Sequence, residues 1–264
     1  MTNHNNIPRN LISLPVGVHI DYSEDSRLRF SRDDLVNKWN NWTPQALAIA
    51  GCNGGAWTAL LFALSKVKRI YLFDDDLVKE HNRNRVFWRK EDVGRNKAEA
   101  LKDIIEPIAF GQVYAFPMRF NIDNFPYFEF LFLARNDQFT IDLVIDATDS
   151  DGCRQLMIEL DKIKDEGRFE RYSIPGYIRE GCLNNTVECH NYLPKGIWGT
   201  PSPPCSENPQ WLIPQLMSSI YAYWTAFGIS TDGVRIGSRV HAVRIPNIAK
   251  ALFNSRKYIE KARY

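Results

Sequence analysis

The fold of this chain is decided by the stretch ALAIAGCNGGAWTALLFALSKVKRIYLFD, residues 46–74. The apolar run at 46–50 is typical of a buried parallel strand, and a glycine-rich turn follows it. An apolar stripe then predicts a helix over 57–67, and the run at 69–73, rich in β-forming residues, predicts a second strand that ends at Asp74. The stretch therefore predicts one strand–helix–strand unit with parallel strands.

The remainder of the chain continues this alternation. Patterning predicts helices at 93–108 and 153–164 and strands at 112–116, 141–146 and 172–174. A hairpin followed by a long proline-rich loop is predicted over 180–210, and the apolar segment 212–227 predicts a buried helix. The predicted fold class is α/β, a Rossmann-like and mostly parallel sheet with flanking helices, plus a smaller irregular or β-rich C-terminal part.

Composition narrows the class of protein. The 264 residues are 44% hydrophobic and 24% charged, with a formal net charge of +2, so charge gives no reason to expect a nucleic-acid partner. No stretch reaches the roughly 20 apolar residues of a membrane span. The polar N-terminus at 1–10 lacks the apolar core of a signal peptide, so a cytoplasmic location is expected.

The cysteines argue against a disulfide framework. Five are scattered along the chain, and none forms a Cys-x-x-Cys pair. Cys182, Cys189 and His190 are conceivable metal ligands, but their spacing fits no common site. No structural zinc is expected.

The glycine-rich turn has the features of an anion-binding site. Backbone N–H groups at the start of a helix point towards a bound anion, and Gly51, Gly54 and Gly55 allow a phosphate to approach closely. Asp74, at the end of the next strand, suits hydrogen bonding to ribose hydroxyls. These features alone indicate a nucleotide and leave NAD, FAD, S-adenosylmethionine and ATP open. The structural alternative is a tight turn without a ligand.

Two later segments are more specific. The chain contains DDDLVKEHNRNR at 74–85 and EDVGRNKA at 91–98. In order and spacing they resemble the ThiF/MoeB/ubiquitin-activating family, whose pattern is Asp-x-Asp-x-Val-x-x-x-Asn-x-x-Arg followed by Val-Gly-x-x-Lys-Ala. RFSR at 29–32 resembles the Arg-Tyr-x-Arg motif of that family, and DATDS at 146–150 resembles its Asp-x-Thr-Asp-Asn motif.

The resemblance implies ATP and Mg²⁺ as cofactors and assigns the site residue by residue. The phosphate turn is formed by Gly51, Asn53, Gly54 and Gly55. Asp74 is the ribose acid, and Asp76 belongs to the same nucleotide-binding motif. The implied catalytic and phosphate-binding residues are Asn82 and Arg85 on the phosphate side, Lys97 on the triphosphate, Asp149 beside Mg²⁺ and Arg32, which relatives insert into the partner's active site.

Each role has a structural alternative. Arg85 and Lys97 could be surface charges, Arg32 could lie on a solvated helix face, and Asp149 could cap the helix predicted at 153–164. Asp76 could be solvated or cap local backbone. The chain also departs from the family, because Asn53 and Ala56 replace glycines of the usual turn and Ser150 replaces an asparagine.

Cys205 is a candidate nucleophile. It lies in the segment Pro203–Ser206 ahead of the helix predicted at 212–227, an arrangement that resembles the mobile crossover loop carrying the thioester cysteine of the family. The segment also resembles the Pro-x-Cys-Ser motif of the ThiF-like proteins of PRTRC systems. A loop thiolate is a competent acyl acceptor.

The resemblance implies ATP-dependent adenylation of a carboxylate in a homodimer. The expected acceptor is the C-terminus of a small ubiquitin-like or sulfur-carrier protein, or a peptide, with release of pyrophosphate and a following thioester on Cys205. The alternatives are a non-catalytic ATP-binding half of an activating-enzyme complex and an NAD-dependent oxidoreductase. The oxidoreductase alternative does not explain why these four residues occur together: Asn82, Arg85, Lys97 and Asp149.

The implied organisation is one adenylation domain over 1–264. It comprises an N-terminal arm and helix at 1–45, a nucleotide-binding core at 46–178, and a C-terminal part at 179–264 with the crossover loop, the buried helix and the last elements.

Overall fold

In the computed structural model the described residues are 44–133, 139–165, 172–173, 175–183, 186–190, 212–226 and 241–244. The predicted N-terminal helix, the motif at 29–32 and the loop that carries Cys205 lie outside them. The described residues all belong to one compact unit, residues 40–264.

A seven-stranded sheet with the strand order β3-β2-β1-β4-β5-β6-β7 forms the centre of the protein. The strands are β1 Ala46–Ala50, β2 Arg69–Phe73, β3 Gln112–Phe116, β4 Leu143–Asp146, β5 Gly176–Leu183, β6 Thr186–His190 and β7 His241–Arg244. The first five are parallel, and β6 and β7 add to β5 as antiparallel strands. The predicted α/β class and mostly parallel sheet are confirmed.

Helices connect the parallel strands. The α-helices are α1 Ala56–Ala63, α2 Lys97–Ile105, α3 Phe125–Phe128, α4 Gly152–Asp165 and α5 Leu212–Ala226. Short 3₁₀ helices occur at Glu80–Asn84, Lys90–Asp92, Glu106–Ile108 and Glu129–Phe132. Pro214 is compatible with α5 because it lies in the first turn, where backbone N–H groups have no partner within the helix.

Both faces of the sheet are covered, as the unbroken apolar run of β1 requires. All five residues of β1 are fully buried. Leu47 and Ile49 pack on one face with side chains of α1, α2 and α5. The alternate residues of β1 pack on the other face against α4 and a cluster of phenylalanines. Strand side chains alternate between faces, so β1 contributes to two hydrophobic cores.

One predicted strand is wrong in its position. Residues 172–174 were expected to form a strand that ends at Pro175, but β5 begins at Gly176 and its pairing with β4 starts with Leu143 opposite Gly176. Tyr172 forms only an isolated bridge with Leu133. Proline is tolerated just ahead of a strand, so Pro175 marks the beginning of β5 and not the end of a strand.

The C-terminal hairpin and helix follow the sequence pattern. β5 and β6 form the antiparallel hairpin, and α5 covers residues of the predicted buried helix. The predicted end of the nucleotide-binding core at residue 178, within the single predicted domain, falls inside β5. Among the helices of the described ranges, none is long and apolar enough to cross a bilayer.

Candidate functional site

The glycine-rich turn connects β1 to α1 and packs directly against the segment that follows β4. Gly51 has a φ of +90°, which favours glycine, and a Cβ added there would lie 2.7 Å from the carbonyl oxygen of Ala147. A Cβ on Gly54 would lie 2.5 Å from the same oxygen. Side chains at these two positions would push the turns after β1 and β4 apart. The glycines are therefore required by the protein's own packing as well as by any phosphate.

The turn is also held by residues outside it. Asn53 accepts a hydrogen bond from the indole N–H of Trp88 at 3.2 Å, and the indole N–H of Trp57 donates to the carbonyl oxygen of Arg85 at 2.9 Å. These two bonds connect the turn and α1 with residues 85–88. The phosphate turn and the segment carrying the predicted phosphate-binding residues therefore form one hydrogen-bonded assembly.

Asp74 is fixed beside the turn by backbone hydrogen bonds. One carboxylate oxygen accepts from the N–H of Cys52 at 2.8 Å, and the other accepts from the N–H of Asp76 at 2.9 Å. Burial raises the pKa of this carboxyl, against the opposing effects of Lys97 and the two N–H groups. A carboxylate has about four acceptor positions, so capacity remains for ribose hydroxyls.

Lys97 is buried and paired with Asp76. Its ammonium lies 2.8 Å from a carboxylate oxygen of Asp76, and only 9% of the lysine side chain is exposed. The hydrogen bond from Lys97 holds the pKa of Asp76 below its ordinary value. Asn96 places Lys97 by capping α2 through the N–H groups of Ala98 and Glu99. Its amide also donates to the carbonyl oxygen of Asp74 at 2.8 Å, which joins the start of α2 to the residue that follows β2.

Asn82 and Arg85 lie in and just after the first 3₁₀ helix. Both are nearly fully buried, at 4% and 6% exposure. The side-chain oxygen of Asn82 accepts from the N–H of Lys79 at 2.9 Å, so Asn82 also shapes the local backbone. The interpretation of Arg85 and Lys97 as ordinary surface charges is excluded by their burial.

Asp149 is exposed on the turn after β4. That turn is shaped by the fully buried Asp146, which accepts from the backbone N–H of Thr148 at 3.1 Å and from the hydroxyl of Tyr177 at 2.6 Å. Because α4 begins at Gly152, the preceding residue is Asp151 and Asp149 is not the N-cap of that helix. The capping alternative for Asp149 is therefore wrong.

These features surround one cavity of about 700 Å³ at the carboxyl ends of β1, β2, β4 and β5. Ligands of open α/β sheets bind at this edge. The predicted site residues that line it are Gly51, Asn53, Gly54, Asp74, Asp76, Asn82, Arg85, Lys97 and Asp149. Gly55 is buried behind the lining, where a Cβ would lie 2.5 Å from the side chain of Ile49. Arg32 and Cys205 lie outside the described residues.

Several lining residues were not predicted from the sequence. They are Lys79, Arg119, Phe120, Asn121, Glu180 and Gln215, together with His81, to which the sequence assigned no role. Arg119 could have been anticipated because it follows β3 closely at the same edge of the sheet, and it pairs with Asp75 at 2.8 Å. No local sequence pattern indicated that Glu180 or Gln215 would line the site.

The donors at this edge fit a magnesium ion shared with a nucleotide. In the described ranges no group of three or more His, Cys, Asp or Glu side chains is arranged to hold a metal. Mg²⁺ commonly takes only one or two protein carboxylates and completes its shell with phosphate oxygens and water. Asp149 could supply such a carboxylate. The side chains of Cys182, Cys189 and His190 lie outside the described part, and the expected absence of zinc stays a prediction.

Cys52 and Cys153 are unsuited to nucleophilic chemistry. Both are free and buried, and burial raises the pKa of each thiol well above its ordinary value. A thiolate is the reactive form, so both groups remain protonated at neutral pH. Cys52 packs in the hydrophobic core beneath the turn.

Solved structures share the fold. The fold of this chain is similar to that of E. coli MccB, with a TM-score of 0.53 and 15% sequence identity; the match covers 85% of this chain and 71% of MccB. It is similar to that of PaaA, with a TM-score of 0.50 and 18% identity over 93% and 78% of the two chains. E. coli tRNA N6-threonylcarbamoyladenosine dehydratase, TcdA, gives a TM-score of 0.46 and 21% identity over 64% and 69%.

Sequence comparison identifies the family. No curated protein sequence is a significant match to the chain. A family model described as the ThiF family matches residues 22–160, which is more than half of the chain and includes the phosphate turn, Asp74, Lys97 and Asp149. This protein belongs to the ThiF family.

Proposed function

We propose that this protein binds ATP in the cavity and transfers its adenylyl group to a carboxylate. The observation that carries the proposal is the convergence of four features on one cavity: the glycine-rich turn, the carboxylate of Asp74, the buried cations Arg85 and Lys97, and the exposed carboxylate of Asp149. A crystal structure of E. coli MccB, which shares this fold, contains ATP. An ATP-binding role for the present chain is consistent with that likeness.

In the proposed reaction the acceptor carboxylate attacks the α-phosphorus. The bond from that phosphorus to the oxygen bridging the α- and β-phosphates breaks, and pyrophosphate leaves with the electron pair. The product is an acyl-adenylate. The acceptor is already ionised, so no general base is needed, and catalysis depends on positioning and on stabilising negative charge.

The buried cations suit this chemistry. Negative charge grows on the leaving pyrophosphate, and Arg85 and Lys97 are held where water is largely excluded, which strengthens their attraction for phosphate oxygens. When the triphosphate binds, the ammonium of Lys97 would either leave Asp76 for a phosphate oxygen or contact both at once. Mg²⁺, held by Asp149 and the phosphates, would supply further charge stabilisation.

The finer proposal follows the family resemblance. The acceptor would be the C-terminus of a small ubiquitin-like or sulfur-carrier protein, or a peptide. Arg32 would act in the site of a second subunit of a homodimer. The Cys205 thiolate would attack the acyl carbon of the adenylate, forming a thioester as the bond to the phosphate oxygen breaks and AMP leaves.

Product analysis tests the chemistry. ATP labelled on the α-phosphate is incubated with the full chain, Mg²⁺ and a synthetic peptide ending in Gly-Gly. Label is expected in the acyl-adenylate or in AMP, with pyrophosphate as the second product, and Lys97→Met is expected to abolish turnover. Label in ADP would contradict adenylyl transfer, and turnover that survives Lys97→Met would contradict the role proposed for Lys97.

A further inference from the structure

The end of the cavity opposite Asp74 contains a buried carboxyl group that the proposed chemistry has not used. Glu180, in β5, is only 3% exposed yet lines the cavity. The hydroxyl of Thr58, in α1, lies 2.9 Å and 2.7 Å from its two oxygens. Within the described residues these oxygens have no other hydrogen-bond partner. One hydroxyl cannot saturate a carboxyl group, so hydrogen-bonding capacity faces the cavity.

A carboxamide lies against the same end of α1. Gln215, in α5, is 6% exposed and lines the cavity, and its amide donates to the carbonyl oxygen of Gly54. Gly54 lies two residues before α1 and Thr58 lies in the first turn of α1, so both contacts are at the beginning of this helix. In the part of the chain that the structure describes, the side-chain oxygen of Gln215 accepts no hydrogen bond. Glu180 and Gln215 are therefore two buried polar side chains that line the same cavity and contact the glycine-rich turn or the start of α1.

The position of this pair excludes a role in holding the ribose. Asp74 follows β2 and Glu180 lies in β5, and the order β2-β1-β4-β5 separates these strands by three spacings. Neighbouring strands lie about 4.8 Å apart, which places the two carboxyls on the order of 14 Å apart along the sheet edge. With the ribose at Asp74 and the phosphates over the turn after β1, the β5 end remains for the acceptor.

We propose that Glu180 and Gln215 determine specificity for the acceptor by forming a subsite for the amide group next to its reacting carboxylate. This inference rests on the proposed adenylation function. A peptide group presents one N–H donor and one C=O acceptor, and a carboxyl group and a carboxamide together can satisfy both. An acceptor without that amide would leave buried polar groups unpaired, which binding sites penalise.

The electrostatics of Glu180 agree with this role. Burial raises its pKa from 4.5 to about 8, so at neutral pH the group is mostly a neutral acid that both donates and accepts. A neutral acid does not repel the nearby acceptor carboxylate, as an ionised one would.

Two stable acyl-adenylate analogues test the subsite without knowledge of the acceptor. One is 5′-O-[N-(N-acetylglycyl)sulfamoyl]adenosine, which carries the amide, and the other is the pentanoyl analogue of equal chain length, which lacks it. Calorimetry on the full chain is expected to show about tenfold tighter binding of the acetylglycyl analogue, the value of one well-placed hydrogen bond.

The variants separate this subsite from the nucleotide site. Glu180→Met fills the same volume without hydrogen bonding and is expected to remove the preference, whereas Glu180→Gln is expected to keep most of it. Gln215→Leu supplies an independent arm should Glu180→Met fold poorly, and Gln155→Leu, at an exposed position in α4, is the matched control. ATP affinity is expected to stay within twofold in the two Glu180 variants and in Gln155→Leu.

The outcomes are distinguishable. Equal binding of the two analogues to the unmodified protein, or a preference that survives Glu180→Met and Gln215→Leu, would overturn the subsite and leave adenylation intact. Failure of ATP and of both analogues to bind the unmodified protein would overturn the proposed function and the subsite together.

Discussion

At the scale of single residues, the pair of Lys97 and Asp76 shows how the site is prepared. The lysine is buried and its ammonium is held 2.8 Å from a carboxylate that is itself 57% exposed. The lysine side chain is therefore ordered and desolvated during folding, before a nucleotide binds, so binding does not have to supply that free energy. Such pre-organisation lets an incoming phosphate interact with a cation that is already in place.

Replacing Lys97 by methionine tests this role. A charge-assisted hydrogen bond contributes about 1.5–3 kcal/mol, so Lys97→Met should weaken ATP binding by about 10–100-fold. The matched control is Lys162→Met, in α4, where the lysine is exposed and paired with Glu159. Calorimetry measures both affinities. Unchanged ATP affinity in Lys97→Met would show that the lysine is only a structural partner of Asp76.

Glu180 makes a prediction about stability. Its pKa in the folded protein is about 8, against 4.5 ordinarily, so between these values the folded state holds a proton that the unfolded state has released. The free energy of unfolding contributed by Glu180 is therefore full below about pH 4.5 and is lost as the pH rises towards 8. Because glutamine does not titrate, Glu180→Gln removes this pH-dependent loss of stability.

The measurement is urea unfolding of both proteins at pH 5 and pH 8. The stability of Glu180→Gln relative to the unmodified protein should rise by about 3 kcal/mol between these pH values, and Glu99→Gln, an exposed control in α2, should show no such rise. A difference that does not change with pH would mean that Glu180 titrates near its ordinary value in the folded protein.

At the scale of elements, the site depends on the close approach of two turns, one after β1 and one after β4. Gly54→Ala places a Cβ 2.5 Å from the backbone of Ala147 and should force the turns apart. We expect it to lower stability by about 1–3 kcal/mol and to weaken ATP binding at least tenfold. Urea unfolding and calorimetry measure the two effects.

Gly94 supplies the control, because it has a φ of +89° but nothing lies within 4 Å of an added Cβ. Gly94→Ala should cost about 1–2 kcal/mol of stability through backbone strain and leave ATP affinity unchanged. Equal effects of the two substitutions on ATP binding would show that the contact between the turns does not shape the site.

Local patterns predicted the elements that bear the motifs. β1, β2 and β3 match their predicted ranges because each is a short apolar or β-branched run bounded by turn residues. The ends of the elements were predicted less accurately. The helix expected over 93–108 begins only at Lys97, because Asn96 caps it through a local contact that the apolar pattern does not reveal. The position of β5 depends on its register with β4, which no local pattern reveals.

The residues that line the Asp74 end of the cavity could be predicted from the sequence and those at the β5 end could not, for the same reason. Asp74, Asn82, Arg85 and Lys97 come from one continuous segment, so their spacing carries information. Glu180 meets Thr58 across 122 positions, and Gln215 meets Gly54 across 161. Those contacts arise from the packing of β5 and α5 against α1, and a single sequence contains no periodicity that would reveal them.

At the scale of the whole molecule, the proposed homodimer makes a complementation prediction. If Arg32 acts in the site of the partner subunit, Arg32→Ala and Asp149→Ala should each abolish adenylyl transfer alone. Mixed dimers of the two variants should recover activity, because one of the two sites then contains both residues.

Light scattering on the unmodified protein should give a dimer mass. A monomer at micromolar concentration, or no recovery on mixing, would contradict a role in trans.

The most direct test of the central claim is calorimetric titration with ATP and Mg²⁺, using the unmodified protein and Asp74→Ala, with NAD as the competing ligand. The structure places Asp74 beside the phosphate turn through hydrogen bonds from Cys52 and Asp76, so its carboxylate is expected to hold the ribose. The account predicts micromolar binding of ATP that is lost in Asp74→Ala, and no binding of NAD. Binding of NAD without binding of ATP would contradict it.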